Sequence, residues 1–275
     1  MCELCSSDGR RAPELASATV VANERLTDGI GSIVLRCPQV AAHVRPGQFV
    51  HLRIARGRDF ILRRPFSIHR VHGENVEIVF QVLGRGTREL SLLGRDTLLD
   101  LVGPLGHGWE MPDDLTHVLL VGGGLGAAPL GMLAEELSAR GVAVTVALGA
   151  PGAGRLVARD LFERVARQVA CCTDDGSAGA HGFVTLATSE LLSAHSFDCV
   201  YACGPEVMQR AVAAQAVEAG VRCQVSLERL MACGIGACLS CIVTTRDGSK
   251  RACVDGPVFA AEEVCWDDAE TPPRH

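Results

Sequence analysis

Residues 231–241, Met-Ala-Cys-Gly-Ile-Gly-Ala-Cys-Leu-Ser-Cys, answered by Cys253, constrain this chain more than any other stretch. Cys233, Cys238, Cys241 and Cys253 stand in the spacing C-x4-C-x2-C-x11-C. The first part of that spacing is the plant-type pattern for a [2Fe–2S] cluster. Two irons need four thiolates, here three from one tight loop and a fourth from a separate segment. Gly234 and Gly236 suit a backbone that wraps closely round sulfides and turns its N–H groups toward them. A structural zinc also takes four cysteines, but usually as two C-x2-C pairs, and the gap from Cys233 to Cys238 does not fit that.

Composition narrows the setting. The chain has 275 residues, 48% of them hydrophobic, enough for two or three cores. A net charge of −6 argues against nucleic acid as the main partner. The start, Cys2 to Arg11, is polar and unlike a signal peptide, and no apolar run reaches the ~20 residues of a membrane span. A cytoplasmic protein with reduced thiols is expected, so disulfides fit poorly. Of the thirteen cysteines, Cys37, Cys171, Cys172, Cys199 and Cys223 read as small core residues, and the Cys2/Cys5 pair as a terminus without chemistry.

Hydrophobic patterning divides the rest. Residues 1–15 read as a flexible extension. From Ala16 to about Met111 short strands follow one another: Ala18–Glu24, Ile30–Arg36, Phe49–Ile54, Arg64–Val71 and Asn75–Val82, an antiparallel β-barrel or sandwich. Over 112–224 buried strands (His117–Val121, Val142–Leu148, Val169–Thr173, Asp198–Ala202) alternate with helices (Leu130–Arg140, Leu156–Val165, Pro205–Ala219). That alternation means a parallel α/β sheet. Residues 225–275 carry the cysteine loop and a polar tail from Trp266. The fold class is multi-domain α+β.

Two nucleotide signals sit in this frame. Arg64-Pro65-Phe66-Ser67 opens a strand, where a fixed guanidinium suits a diphosphate and a hydroxyl read as lying on the same face can reach a ring nitrogen. Gly84-Arg85-Gly86-Thr87 heads a helix expected over Arg88–Leu93, a phosphate cradle. Gly103-Pro104-Leu105-Gly106 reads as a tight loop closing the domain. Together the three fit a flavin dinucleotide, FAD. Gly122-Gly123-Gly124-Leu125-Gly126 follows a buried strand and precedes a helix, as a dinucleotide-binding loop does, although Ala127 takes the place of the third glycine. A purely structural β–α turn explains the same glycines. Cys203-Gly204-Pro205 ends another strand where ligands of an open sheet bind, so Cys203 could face a bound ring or simply fill the core.

These segments, in this order, resemble the ferredoxin–NADP reductase superfamily. The cysteine block with Cys253-Val254-Asp255-Gly256-Pro257, and Thr173–Ser177 with Gly182–Thr185, are similar to the electron-transfer subunits of NAD-dependent dihydroorotate dehydrogenases. The resemblance runs from about Ala16 to Val264. It implies FAD in the barrel with Arg64 on its diphosphate and Ser67 beside its ring. It implies NAD entering from the α/β domain near Cys203, and a [2Fe–2S] cluster facing an FMN-containing catalytic subunit, two of each in the assembly. Ser67 and Cys203 are the expected catalytic pair. Two departures are the N-terminal extension and Gly149–Gly154, where relatives carry larger polar residues. The strand Val142–Leu148 ends there without an acid to accept ribose hydroxyls, while Arg155 could meet the 2′-phosphate of NADP.

Two other functions use the same parts. An NAD(P)H–ferredoxin reductase subunit of a bifurcating or hydrogenase complex would share every motif, although a related transhydrogenase subunit can replace the first cysteine, and Cys233 is present. A non-catalytic iron–sulfur sensor would not need the nucleotide loops. The chain shows no site of its own for dihydroorotate.

Overall fold

The computed structural model describes residues 13–54 and 61–267. Cys2, Cys5 and most of the expected extension lie outside these, as do residues 268–275. Glu14 and Leu15 already belong to the first strand, and Trp266 packs against the core with its Nε1–H donated to the Ala261 carbonyl at 3.2 Å.

The first unit comprises β1 (Glu14–Thr27), β2 (Ile30–Arg36), α1 (Pro38–Ala41), β3 (Phe49–Arg53), β4 (Arg64–Ser67), β5 (Arg70–His72), β6 (Asn75–Gln81), α2 (Arg85–Ser91) and β7 (Leu98–Leu105). The strands form one seven-stranded antiparallel sheet in the order β4-β3-β7-β1-β2-β6-β5. What sequence patterning read as a single strand, Arg64–Val71, is thus the two opposite edges of that sheet. Only Ile68 and His69 lie between them, so the sheet has to curl until its edges meet. Ile68 N–H still bonds back to the β3 side, at the Gln48 carbonyl, and His69 N–H to the β6 side, at the Glu77 carbonyl. Inside lie Val20, Ile33, Leu35, Val50, Leu52, Ile78 and Leu101 from alternate positions of their strands, joined by Ile68 from the connection between the edges. Each is worth about 1.5–3 kcal/mol of transfer from water. Residues Gly103 to Leu105, expected as a loop, complete β7, which sits third in the sheet; the turn comes only at Gly106.

The second unit contains the expected alternation and adds β11, α5 and β13 to it: β8 (His117–Gly123), α3 (Gly131–Ala139), β9 (Ala143–Ala150), α4 (Arg159–Val165), β10 (Gln168–Thr173), β11 (Ala180–His181), α5 (Val184–Ala194), β12 (Cys199–Cys203), α6 (Glu206–Glu218) and β13 (Arg222–Ser226). Its strands pair in parallel, β11-β10-β9-β8-β12-β13. Strand order reverses at β8, which lies between β9 and β12. The crevice at the carboxyl ends of β8 and β12 is therefore the switch point where such sheets bind ligands.

After β13 comes the cysteine loop, then a hairpin of β14 (Ile242–Thr245) and β15 (Gly248–Arg251), and β16 (Val258–Ala260). This last strand runs antiparallel on β13, adding the cluster segment to the edge of the parallel sheet. One hydrophobic cluster runs through all three parts. It holds Phe49 and Leu105 of the barrel, Val121, Ala202 and Val225 of the parallel sheet, and Cys241, Val243, Cys253 and Phe259 of the C-terminal segment. Among the described residues no helix is long and apolar enough to cross a membrane.

Candidate functional site

The barrel contributes Arg64 and the start of α2. A Cβ built on Gly86 would lie 2.4 Å from Arg64 Nε and 2.9 Å from its Cζ, so the guanidinium crosses directly over that glycine. Thr87 Oγ1 accepts from Leu83 N–H at 2.9 Å and Gly84 N–H at 3.3 Å, fixing the turn. A cation laid across a glycine turn fits an anionic diphosphate. The expectation that Arg64 and Ser67 share a strand face fails. Arg64 is paired with Leu52 and Ser67 with Phe49, three positions apart and so of opposite parity. Phe66, of Arg64's parity, packs edge-on against Phe80 with ring centroids 6.4 Å apart. Pro65 is exposed, and Ser67, half-buried, shares its parity.

Two residues past Ser67, His69 fastens the barrel to the second unit. Its Nδ1 lies 2.7 Å from the Ala128 carbonyl, and Gly131 leaves room for the ring, since a Cβ there would be 2.5 Å from Cε1. Burial holds the imidazole below its ordinary range, so the neutral ring carries the proton on Nδ1 and donates it. Ala128 belongs to a 3-10 turn, Gly124–Leu130, containing Pro129. The glycine loop therefore feeds a 3-10 turn before reaching α3.

Most of those glycines are occupied by packing. A Cβ on Gly126 would meet the Cys203 carbonyl and Gly204 Cα at 2.5 Å, one on Gly123 would meet Met208 Sδ at 2.5 Å, and one on Gly122 would meet Ala127 at 2.8 Å. The loops after β8 and β12 thus press together, and Gly204 and Pro205 are part of that contact. Gly124, at φ +56° with nothing near it, leaves its backbone open to a ligand. Cys203 is 3% exposed, and burial pushes its thiol up to about 12, so it is a neutral S–H at the closed end of the crevice. Glu228, which pattern reading missed, raises that thiol further. Its side chain is exposed, and the protein crowded around it raises its own carboxyl above the usual range.

Beyond β9, Asp175 was also missed as a site residue because it follows the next strand. Its Oδ2 would lie 2.5 Å from a Cβ on Gly152, and its Oδ1 accepts from Ser177 N–H at 2.9 Å and Oγ–H at 2.6 Å. Arg155 instead lies against Gly29 of the barrel, 3.8 Å from where its Cβ would be.

The cysteine loop is wound by Gly234 (φ +72°) and Gly236 (φ +82°), as close wrapping requires. Among the described residues no three of His, Cys, Asp and Glu converge on one metal-sized point. The fit to a cluster rests instead on backbone donors turned to sulfur. Ile235 and Cys238 N–H point at Cys233 Sγ, at 3.5 and 3.4 Å, and Gly236 N–H at Cys253 Sγ, at 3.2 Å. Burial pushes the Cys233 thiol up, but the N–H groups of Ile235, Cys238 and Ala237 and the Cys238 thiol outweigh it and bring it to about 6, inclined to the thiolate an iron needs. Cys253, 1% exposed, goes to about 12 through burial and the neighbouring Cys241 thiol. Cys241 is buried and Cys238 exposed. The segment is bound to the barrel through Gly256, whose carbonyl accepts from His107 N–H.

Comparison with known proteins agrees with these parts. A family described as the iron-sulfur cluster binding domain of dihydroorotate dehydrogenase B matches residues 228–265. The electron transfer subunit of dihydroorotate dehydrogenase B (NAD(+)) from Caldanaerobacter subterraneus is 39% identical over 90% of this chain and 98% of its own. Its counterpart in Desulforamulus reducens is 38% identical over 84% and 90%. Among solved structures, a flavin-based electron-bifurcating NADH-dependent reduced ferredoxin–NADP oxidoreductase matches with a TM-score of 0.83 and 35% identity, over 91% of this chain and 90% of that one. A ferredoxin reductase of carbazole 1,9a-dioxygenase shares the fold at a TM-score of 0.65 and 22% identity, over 77% and 67%.

Proposed function

We propose, from the premise that this chain belongs to the electron transfer subunits of dihydroorotate dehydrogenase B (NAD(+)), the following division of labour within it. When bound, FAD, NAD and the [2Fe–2S] cluster supply two-electron hydride exchange on one side and one-electron transfer on the other, the flavin serving both. Arg64, lying over Gly86, holds the flavin diphosphate, and Ser67 stands near the ring. Gly124 offers backbone to the NAD pyrophosphate at the switch point. Cys203 gives the nicotinamide an uncharged, water-free wall. Glu228 is the nearby carboxyl able to hold a proton. Asp175 accepts from the adenosine ribose hydroxyls, which favours NAD over NADP. Cys233, Cys238, Cys241 and Cys253 carry the cluster.

The observation that carries this reading is the position of the β3–β4 pair. Through His69 it is tied to the turn after the glycine loop, and through His51, against Gly234, it touches the cysteine loop. Hydride entry and single-electron exit therefore meet on one strand pair. The exit faces outward: Ile235 and Leu239 are 55% and 61% exposed, beside a groove of about 680 Å³ lined by His107, Lys250, Arg251 and Asp255. An exposed apolar loop rimmed by charge suits a protein partner. That partner is the catalytic subunit, which we read as FMN-containing, two copies assembling with two of this chain. The free cysteines suit a reducing compartment, the cytoplasm.

The isolated protein is expected to oxidise NADH with ferricyanide and to leave dihydroorotate untouched. Adding an FMN-containing catalytic subunit should create dihydroorotate-dependent NAD reduction. Dihydroorotate oxidation by this chain alone would refute the reading. Coupling instead to ferredoxin, with no catalytic subunit bound, would favour the bifurcating reductase that its fold also matches.

A further inference from the structure

His51 is the most unusual polar residue of the interior. It lies in β3 with no exposure, and neither ring nitrogen has a hydrogen-bond partner of ordinary geometry among the described residues. Its strand alternates two surroundings. Val50 and Leu52 fill the barrel, whereas Phe49 and His51 point to the other side, toward the C-terminal segment. Any apolar side chain would fill that place without leaving two nitrogens unpaired, so the imidazole is there for its polarity.

Its neighbours show what that polarity meets. Across the ladder His51 pairs with Pro65, at the same parity as Ser67. On the other side is the cysteine loop: a Cβ on Gly234 would lie 2.5 Å from Nδ1 and 3.1 Å from Cε1 and Cγ. The ring is also within electrostatic reach of the Cys233 and Arg63 carbonyls. One ring thus spans from the residue before Arg64 to the first cysteine of the loop. Arg63 is itself held by an ion pair with Asp100.

We propose that His51 is a positioning residue that joins the flavin strand to the iron–sulfur loop, setting the loop's distance from the barrel and turning an imidazole N–H toward the Cys233 arm. This rests on the cluster assignment above. A buried N–H dipole held against the backbone of the Cys233 arm places its positive end close to the cluster, and such a field stabilises the more negative, reduced state. Losing it lowers the reduction potential. The ring acts here as a neutral donor, and nothing depends on its titration.

The test uses the full chain with its cofactors in place, as His51→Asn and His51→Phe. Asparagine keeps an N–H donor near the Nδ1 position; phenylalanine keeps the ring and removes the donor. After iron, sulfide and flavin analysis, the cluster potential is measured by redox titration followed by electron paramagnetic resonance. His51→Phe is expected to shift the potential downward and alter the spectrum of the reduced cluster, with His51→Asn close to the parent. Equal potentials in all three proteins, or equal shifts in both variants, would overturn the proposal. If His51→Phe does not load a cluster, the parent protein labelled with 15N-histidine decides. Pulsed resonance should show a weak through-space histidine coupling that His51→Asn removes, and its absence in the parent would sink the idea. Zinc without sulfide in the parent would instead refute the cluster reading itself.

Discussion

The Arg64 assignment can be tested without touching Arg64. In Gly86→Ala the new methyl would sit 2.4 Å from Arg64 Nε and 3.0 Å from its Cδ, the mobile end of a long side chain. The guanidinium moves rather than the backbone, so folding is barely affected. Gly86 lies in the first turn of α2 and is buried there, and alanine in a helix is favoured over glycine by up to about 1 kcal/mol. Melting temperature should therefore hold steady or rise slightly. Flavin affinity should fall, because a charge-assisted contact worth about 1.5–3 kcal/mol is displaced, roughly 10- to 150-fold in Kd. Titrating deflavinated protein with FAD by fluorescence measures this. Combining Gly86→Ala with Arg64→Ala should be no worse than Arg64→Ala alone, since both act through one contact. Gly126→Ala is the control. Its methyl would strike backbone at Cys203 and Gly204 at 2.5 Å, so it should cost about 1–3 kcal/mol of stability. Undiminished FAD binding by Gly86→Ala would mean that the diphosphate lies elsewhere.

Cys253→Ala should lose iron and sulfide, and with them coupled dihydroorotate–NAD turnover, while flavin content and much of the NADH–ferricyanide activity survive; loss of flavin too would mean the shared core couples the parts more tightly. NADH should be preferred over NADPH, and Asp175→Asn, which keeps an acceptor for Ser177, should narrow the kcat/KM ratio about fivefold, the worth of roughly 1 kcal/mol of charge repulsion across water; a clear NADPH preference in the parent would overturn the assignment. At the far end of β8, Asp198 accepts from Thr116 N–H (2.6 Å), Thr116 Oγ–H (2.8 Å) and His117 N–H (2.8 Å), and these bonds hold its carboxyl below the ordinary range. Its stabilisation should be present above the unfolded value near pH 4 and fade as pH falls through the lower folded value; Asp198→Asn should flatten that acid limb of the stability curve and leave NADH oxidation intact.

What the sequence disclosed follows the range of each signal. The cysteine spacing is local, because three of the four cysteines share one loop, and Gly234 and Gly236 bend it as their residue type suggests. Strand–helix alternation is also local, and the parallel sheet appears where the pattern placed it. The errors came where a segment's fate is set far away in the chain. Arg64–Val71 is one apolar stretch, yet barrel closure breaks it into opposite edges, because a seven-stranded antiparallel sheet can meet itself only there. Gly103–Leu105 looks like a turn on its residues, but its pairing partners, Glu14 and Phe49, are distant. Asp175 was passed over since it follows β10, although its loop returns to the end of β9, with Asp175 N–H bonded to the Pro151 carbonyl at 3.2 Å.

The glycines of the loop after β8 make the same point about function. Read alone, Gly122–Gly126 is a pyrophosphate loop, and each glycine has the same explanation. In the fold Gly122, Gly123 and Gly126 are small because Ala127, Met208 and Gly204 leave them no room, and of these four glycines Gly124 alone has open space around it. A substitution at Gly124 should then separate binding from folding, although its φ of +56° strains any other residue. Asparagine, which tolerates that backbone region best, is the informative choice. Gly124→Asn should weaken NADH binding while the flavin stays bound and the melting temperature changes little. Gly123→Asn, pushing on Met208 and Pro205, should do the reverse and destabilise first. If both variants lose stability and affinity together, the loop is one packed turn and the nucleotide is held by other backbone.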